Sequence, residues 1–232
     1  MKLLLALSVV ALVAQPGQPR LERRTFKTPD GTIARYGLAV PRSYDASSPR
    51  PLVVALHPGG GAGMLFYGDR YMRSVFLPGL SALGSIMIAP DAPLGSWTEP
   101  KAEQMVLALI DAVGREFSID SRRTLVAGYS MGGAGAWYLS ARHQDRFAGA
   151  IVIAGRTGEP IETLARIPTY VIHGRDDEVV PFAQAEARAA ALERMGRPVR
   201  FEALMGASHY AMGGYMAALS RGGRWISDQW NR

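Results

Sequence analysis

Cysteine is absent from the 232 residues. Its absence removes a disulfide framework, a thiolate nucleophile, cysteine-ligated zinc and a lipid-bearing cysteine together. Any covalent catalyst is therefore an oxygen or a nitrogen. A cationic run is missing too. The 26 basic and 20 acidic residues give a formal charge of +6, but the basic ones are scattered, with pairs at Arg23-Arg24 and Arg122-Arg123. Nucleic-acid binding needs a clustered stripe, so no nucleic-acid partner is expected, and the charge reads as a solubility feature. No histidine or carboxylate cluster has metal-ligand spacing, so neither a metal nor another cofactor is implied. No internal repeat is visible, and no apolar run approaches the roughly twenty residues of a bilayer span.

What is present is globular composition, 48% apolar and 20% charged. The length is about one and a half times an average domain of roughly 150 residues, which suits a single α/β domain. At the start, Lys2 precedes an apolar run from Leu3 to Val13, then Ala14 and Gln15-Pro16-Gly17. This is the layout of a secretory signal peptide, here read as residues 1–14 with the cut site left open because Leu12 is large for its position. The expectation is an exported protein, periplasmic or secreted, without a stable membrane span once mature. Residues 15–24 read as a polar linker and 25–232 as the folded domain.

Through that domain short apolar runs alternate with stretches of helical periodicity, which predicts a mostly parallel sheet with crossover helices on both faces. The buried-strand candidates are Leu52 to Leu56, Ile86 to Ala89, Thr124 to Ala127, Ala150 to Ala154 and Thr169 to Ile172, with Thr32 to Val40 and Val199 to Leu204 nearer the edges. Helices are predicted over Glu99 to Phe117, Met131 to Arg142, Pro181 to Met195 and Arg224 to Gln229, the last laying Trp225 and Trp230 on the core. Chemistry in such a sheet belongs at the carboxyl ends of the strands.

One such end stands out. The run Thr124-Leu-Val-Ala-Gly-Tyr-Ser-Met-Gly-Gly133 is a buried strand passing through G-x-S-x-G into a small-residue helix. A serine on so sharp a turn is strained, and the flanking glycines let neighbouring backbone approach without a Cβ clash. The turn lifts the Ser130 hydroxyl clear of the sheet and aims the Met131 N–H where an oxyanion would develop. Ser130 as a mere helix cap is the plainer alternative.

From about Gly37 to the last helix the chain resembles the alpha/beta-hydrolase superfamily. Asp120-Ser-Arg-Arg-Thr-Leu-Val-Ala-Gly-Tyr-Ser-Met-Gly-Gly133 is similar to the small single-domain esterases grouped with phospholipase/carboxylesterases, polyhydroxybutyrate depolymerases and feruloyl esterases. The resemblance implies the chain order serine, acid, histidine. His209, in Gly206-Ala-Ser-His-Tyr210, is the histidine that follows the acid segment, and imidazole has the pKa to activate a serine. The segment Thr169-Tyr-Val-Ile-His-Gly-Arg-Asp-Asp-Glu-Val-Val-Pro181 resembles the family's H-G-x-x-D-x-x-V-P, which assigns the acid to Asp177, with Asp176 and Glu178 as rivals by adjacency and His173 structural. The second oxyanion donor is expected from His57-Pro-Gly-Gly-Gly-Ala-Gly63. Pro58 has no N–H, so Gly59 is first choice and Gly60 second.

His143 reads as a solvated helix terminus. Asp91, Trp97, Tyr67 and Tyr71 could line a pocket or serve packing and capping, and both readings stay open. Between Gly155 and Arg166 there is room only for a minimal lid. The resulting expectation is an exported serine hydrolase cleaving the carboxylic ester bonds of a small-molecule or polymeric substrate through an acyl-enzyme. A peptidase on the same machinery and a non-catalytic binding protein are the alternatives.

Overall fold

The computed structural model describes residues 18–61, 63–93 and 95–232, so the leader expected over 1–14 lies outside the described residues. Eight strands form one sheet in the order β1-β2-β4-β3-β5-β6-β7-β8. They are β1 (Arg20–Lys27), β2 (Ile33–Val40), β3 (Arg50–Leu56), β4 (Ile86–Pro90), β5 (Ile119–Tyr129), β6 (Gly149–Ile153), β7 (Thr169–Gly174) and β8 (Val199–Leu204). The β1–β2 and β2–β4 pairs are antiparallel and every other pair is parallel, as the alternation predicted for the central strands.

The two faces of the sheet are read directly from β3. Leu52, Val54 and Leu56 enter one core and Val53 and Ala55 the other, so a strand buried on both sides is a continuous apolar run. The first core is closed by α3 (Pro100–Glu116), α4 (Met131–Arg142) and α5 (Phe182–Arg194) through residues such as Val106, Leu109, Trp137 and Leu192. The second is closed by the segment after the glycine loop and by the last helix. That segment is α1 (Tyr67–Tyr71), a π-helical turn (Met72–Phe76) and α2 (Leu77–Leu80). The last helix is α6 (Met212–Trp230). The link from β6 to β7 contains only a short 3-10 turn at Ile161–Thr163, so among the described residues this link builds no lid domain over the carboxyl edge.

Two expectations need correction. The segment read as a linker over 15–24 contributes five residues to β1. Its charge hides the strand, because Arg24 is held by Glu22 and Glu116, and Arg23 by the fully buried Asp69. Charges of this kind are tolerated on an edge strand. The last helix begins at Met212 rather than Arg224. Gly213, Gly214, Gly222 and Gly223 lower its intrinsic propensity, but close packing requires two of them. A Cβ on Gly223 would lie 2.8 Å from Leu80, and one on Gly222 3.0 Å from the Tyr170 ring. Trp225 and Trp230 do pack on the core, the latter donating to the Ala148 carbonyl at 3.0 Å.

Candidate active site

β5 ends at Tyr129, α4 begins at Met131, and Ser130 between them has φ 55° and ψ −114°, a conformation a non-glycine residue adopts only under constraint. The constraint is visible in the backbone around it. A Cβ on Gly128 would sit 1.9 Å from the Gly132 carbonyl oxygen, and one on Gly132 2.0 Å from that of Leu56. On the other flank Gly133 meets the loop after β6, where its Cβ would lie 2.9 Å from Gly155 Cα. The Ser130 N–H donates to Ile153 and its carbonyl accepts from Ala134. The turn is thus bolted to three strands.

The loop after β8 brings His209 over this turn. Ser130 Oγ lies 2.8 Å from His209 Nε2, and His209 Nδ1 lies 2.8 Å from Asp177 Oδ2. An ionised carboxylate only accepts, so Nδ1 carries the hydrogen and Nε2 is free to accept the serine proton. The other Asp177 oxygen accepts from the Val179 and Val180 amides at 2.9 and 2.7 Å. Burial alone would raise the Asp177 carboxyl. The His209 bond and the two amides outweigh that, so its pKa falls below the ordinary carboxylate value and it stays charged at neutral pH.

Of the rivals, Asp176 is exposed, and Glu178 accepts the His209 backbone N–H at 3.0 Å. Glu178 therefore anchors the histidine loop from outside. Tyr129, the variable residue before the serine, anchors it from inside by donating its hydroxyl to the His209 carbonyl. Burial pushes the Tyr129 phenol up, so it remains a donor throughout the physiological range. Neither anchor has a sequence signal beyond adjacency to the motif. His173 is fully buried, donates Nε2–H to the Val180 carbonyl at 2.9 Å and lies 3.3 Å from Asp177 Oδ2. That is the structural role expected for it.

On the opposite side of the cleft, His57 opens the glycine-rich loop. Its Nδ1–H donates to the Pro58 carbonyl at 2.7 Å, and Nε2 accepts the Ala92 N–H at 3.0 Å. Burial lowers its pKa, with the Pro58 carbonyl and Asp91 opposing in part, so the neutral ring is the native form. The Gly59 α-carbon faces Met131, whose Cβ and Sδ would lie 4.0 Å from a Cβ placed there, while Gly60 has φ +90°. Tyr67 donates to the Gly59 carbonyl at 3.3 Å.

Of the residues left open between pocket and packing, Asp91 and Tyr67 line the larger lobe and also hold its walls. Asp91 caps, accepting from the Phe66 and Gly68 amides at 2.7 and 2.9 Å, and so fixes α1 with Tyr67. Trp97 is buried, donates to the His57 carbonyl at 2.9 Å, and presents an edge to the cleft. His143 is not merely solvated: half-buried at the end of α4, it bonds Glu103 at 2.5 Å, the same carboxylate that accepts from Tyr138. Among the described residues no group of three or more histidines and carboxylates could hold a metal, and no helix is long and apolar enough to cross a membrane.

The cleft has two lobes that share Met131. One, of about 290 Å³, is lined by Ser96, Trp97, Thr98, Ser130, Ala134 and Arg156 among others. The other, about 560 Å³, lies beyond the glycine loop and includes Gly59, Gly60, Met64, Leu65, Tyr67 and Lys101.

The chain is 27% identical to a probable feruloyl esterase C of Aspergillus niger over 157 residues, 63% of this chain and 56% of that protein. It is 28% identical to the corresponding Aspergillus flavus protein over 169 residues, 71% of this chain and 62% of the other. It therefore spans roughly three fifths of the length of those curated relatives. Among solved structures, a thermostable esterase superposes with a TM-score of 0.74 at 25% identity, over 90% of this chain and 62% of that one. The family described as Phospholipase/Carboxylesterase matches residues 95–221, more than half of the sequence and including Ser130, Asp177 and His209. The chain belongs to that family, on an alpha/beta-hydrolase fold.

Proposed function

We propose that the protein is an exported serine hydrolase that cleaves carboxylic esters through an acyl-enzyme on Ser130. The observation that carries this reading is the continuous hydrogen-bonded path from Ser130 Oγ through His209 to Asp177, both links 2.8 Å, on a strained strand-to-helix turn. Export rests on the leader pattern of residues 1–14.

In the first half-reaction Ser130 Oγ attacks the ester carbonyl while its proton passes to His209 Nε2. Asp177 stabilises the imidazolium without taking the proton. The carbonyl electrons move onto oxygen, where the Met131 and Gly59 amides are the proposed donors. Met131 lies in the first turn of α4, whose amides have no partner inside the helix. Peptide planarity supports Gly59. The Pro58 carbonyl is turned towards the buried His57 ring, so the Gly59 N–H on the same trans peptide points away from it. Collapse of the intermediate expels the alcohol, which takes the proton from His209. Water, deprotonated by the same imidazole, then releases the acid and restores Ser130.

The test is a fluorophosphonate probe followed by a substrate panel. Wild type is expected to label and Ser130→Ala, with an unchanged circular dichroism spectrum, not to. Its kcat is expected to fall by up to about a millionfold. Acyl p-nitrophenyl esters, feruloyl esters suggested by the relatives' names, and peptide anilides then separate ester from amide cleavage. A folded wild type that neither labels nor turns over any ester would refute the proposal.

A further inference from the structure

The lobe beside Ser130 carries a positive charge that the chemistry above does not use. Arg156 follows β6 at the carboxyl edge of the sheet and lines the same 290 Å³ lobe as Ser130, together with the hydroxyl-bearing Ser96 and Thr98. The two residues before it are tightly held, and Arg156 itself is exposed. Ala154 has φ 48° and donates to the Ile172 carbonyl, and a Cβ on Gly155 would lie 2.5 Å from the Gly133 carbonyl carbon. The nucleophile helix thus packs directly against the residue preceding Arg156, so the two ends of the lobe are built on one rigid contact.

The guanidinium has no carboxylate of its own. Among the described residues Arg156 makes no ion pair or side-chain hydrogen bond, unlike Arg142 on the neighbouring helix, which takes Glu159 and covers the Tyr138 ring. Three acids of the surrounding segments are otherwise engaged. Glu159 meets Arg142, Asp177 serves His209 and two amides, and Glu178 accepts from the His209 backbone. Asp176 is exposed and lies outside the lobe's lining. A small adjoining cavity, which shares Arg156 and Val180, adds Arg188, half-buried and likewise without an ion pair. Nothing in the lining of the Ser130 lobe is acidic.

We infer that this lobe is a carboxylate subsite: the preferred esters carry an anionic group, on the acyl or the alcohol side, that Arg156 receives with the Ser96 and Thr98 hydroxyls while Ser130 attacks the ester carbon. Guanidinium suits the role because its planar fork matches a carboxylate and its charge is permanent. The inference rests on the serine-hydrolase reading and adds a substrate class to it.

Two matched ester pairs test it, phenyl acetate against 4-acetoxybenzoate for the alcohol side and p-nitrophenyl butanoate against mono-p-nitrophenyl glutarate for the acyl side. Enzyme-free rates are subtracted. For at least one pair, Arg156→Gln should lower kcat/KM for the charged member by about tenfold while the neutral partner changes by less than about twofold. Arg156→Lys should recover part of the loss, and about 0.5 M salt should erase most of the wild-type preference for the charged ester. Equal effects on charged and neutral members of both pairs, or none, would overturn the subsite while leaving the esterase intact. Loss of turnover on every ester by wild type, with no fluorophosphonate labelling, would instead remove the reading beneath it.

Discussion

The two flanks of the cleft are both rich in glycine, for opposite reasons. In the nucleophile turn, Gly128 and Gly132 are needed because other backbone occupies the space a side chain would take, with oxygens 1.9 and 2.0 Å from the added carbon. In the loop after β3, Gly60 and Gly63 have open space, the nearest atom to either being the Tyr67 hydroxyl 3.9 Å from Gly60. What they need is a positive φ, +90° and +77°. Gly61 is the exception there, lying against the Tyr67 ring. One flank is therefore fixed by contact and the other by backbone conformation, with His57, Tyr67 and Asp91 as ties. The strained turn at Ser130 demands the first arrangement; the proposed donor amide of Gly59 needs only the second.

The sharpest way to break the contrast is to add one methyl group on each side. Gly132→Ala forces the Leu56 carbonyl or α4 to move, and overpacking against backbone has no flexible side chain to yield. We expect a destabilisation of about 3 kcal/mol or more in urea unfolding, together with lost fluorophosphonate labelling. On the same flank, Asp177→Asn should keep the fold and lower kcat by about ten thousandfold, because the amide can stabilise neither the Nδ1–H tautomer nor the imidazolium. Asp176→Asn, one residue away but exposed, should stay within about twofold. Comparable losses in the two variants would show that the buried carboxylate is not the one that matters.

Gly60→Ala is the counterpart on the donor flank. The methyl group meets nothing, but φ +90° costs an alanine about 1–2 kcal/mol, which the loop can relieve by shifting. The urea midpoint should barely move, whereas kcat/KM should fall by about tenfold as a donor leaves its position. A large stability loss with full activity would mean that this loop, too, is held by packing.

This contrast also explains what could be read from the chain. The central strands were legible because residues buried on both faces make unbroken apolar runs such as Leu52 to Leu56. Ser130 was legible from its sharp turn, and His209 and Asp177 from the order and the H-G-x-x-D-x-x-V-P segment that the family resemblance implies; the structure brings those three side chains together. The strand at Arg20–Lys27 was not, since its arginines are satisfied by Glu22, Glu116 and Asp69, the latter two distant in sequence. Nor was the start of α6, where glycines that read as helix breakers permit contact with Leu80 and Tyr170. The ties of the donor loop were equally hidden. That Asp91 caps as well as lines the larger lobe depends on Phe66 and Gly68, more than twenty residues away, and no local pattern joins them.

His57 offers the finest test of how the donor flank is held. Its ring is neutral in the fold, giving one hydrogen bond to its own loop and accepting another from the loop after β4. Burial sets its folded pKa below the ordinary 6.5. Between those two values the unfolded chain binds a proton that the folded protein refuses, so unfolding takes up a proton and stability falls as pH falls. Above the unfolded value the contribution is complete, and below the folded value the loss levels off. One such group can contribute a slope of at most about 1.4 kcal/mol per pH unit. His57→Asn can keep a donor and an acceptor but has no proton to gain, so its unfolding free energy should be flatter than that of wild type just below pH 6.5. The two should run parallel above pH 7. Parallel curves throughout would mean that the loop is not held through a neutral imidazole, and the tie would have to be sought in the Tyr67 hydroxyl and the Asp91 carboxylate instead.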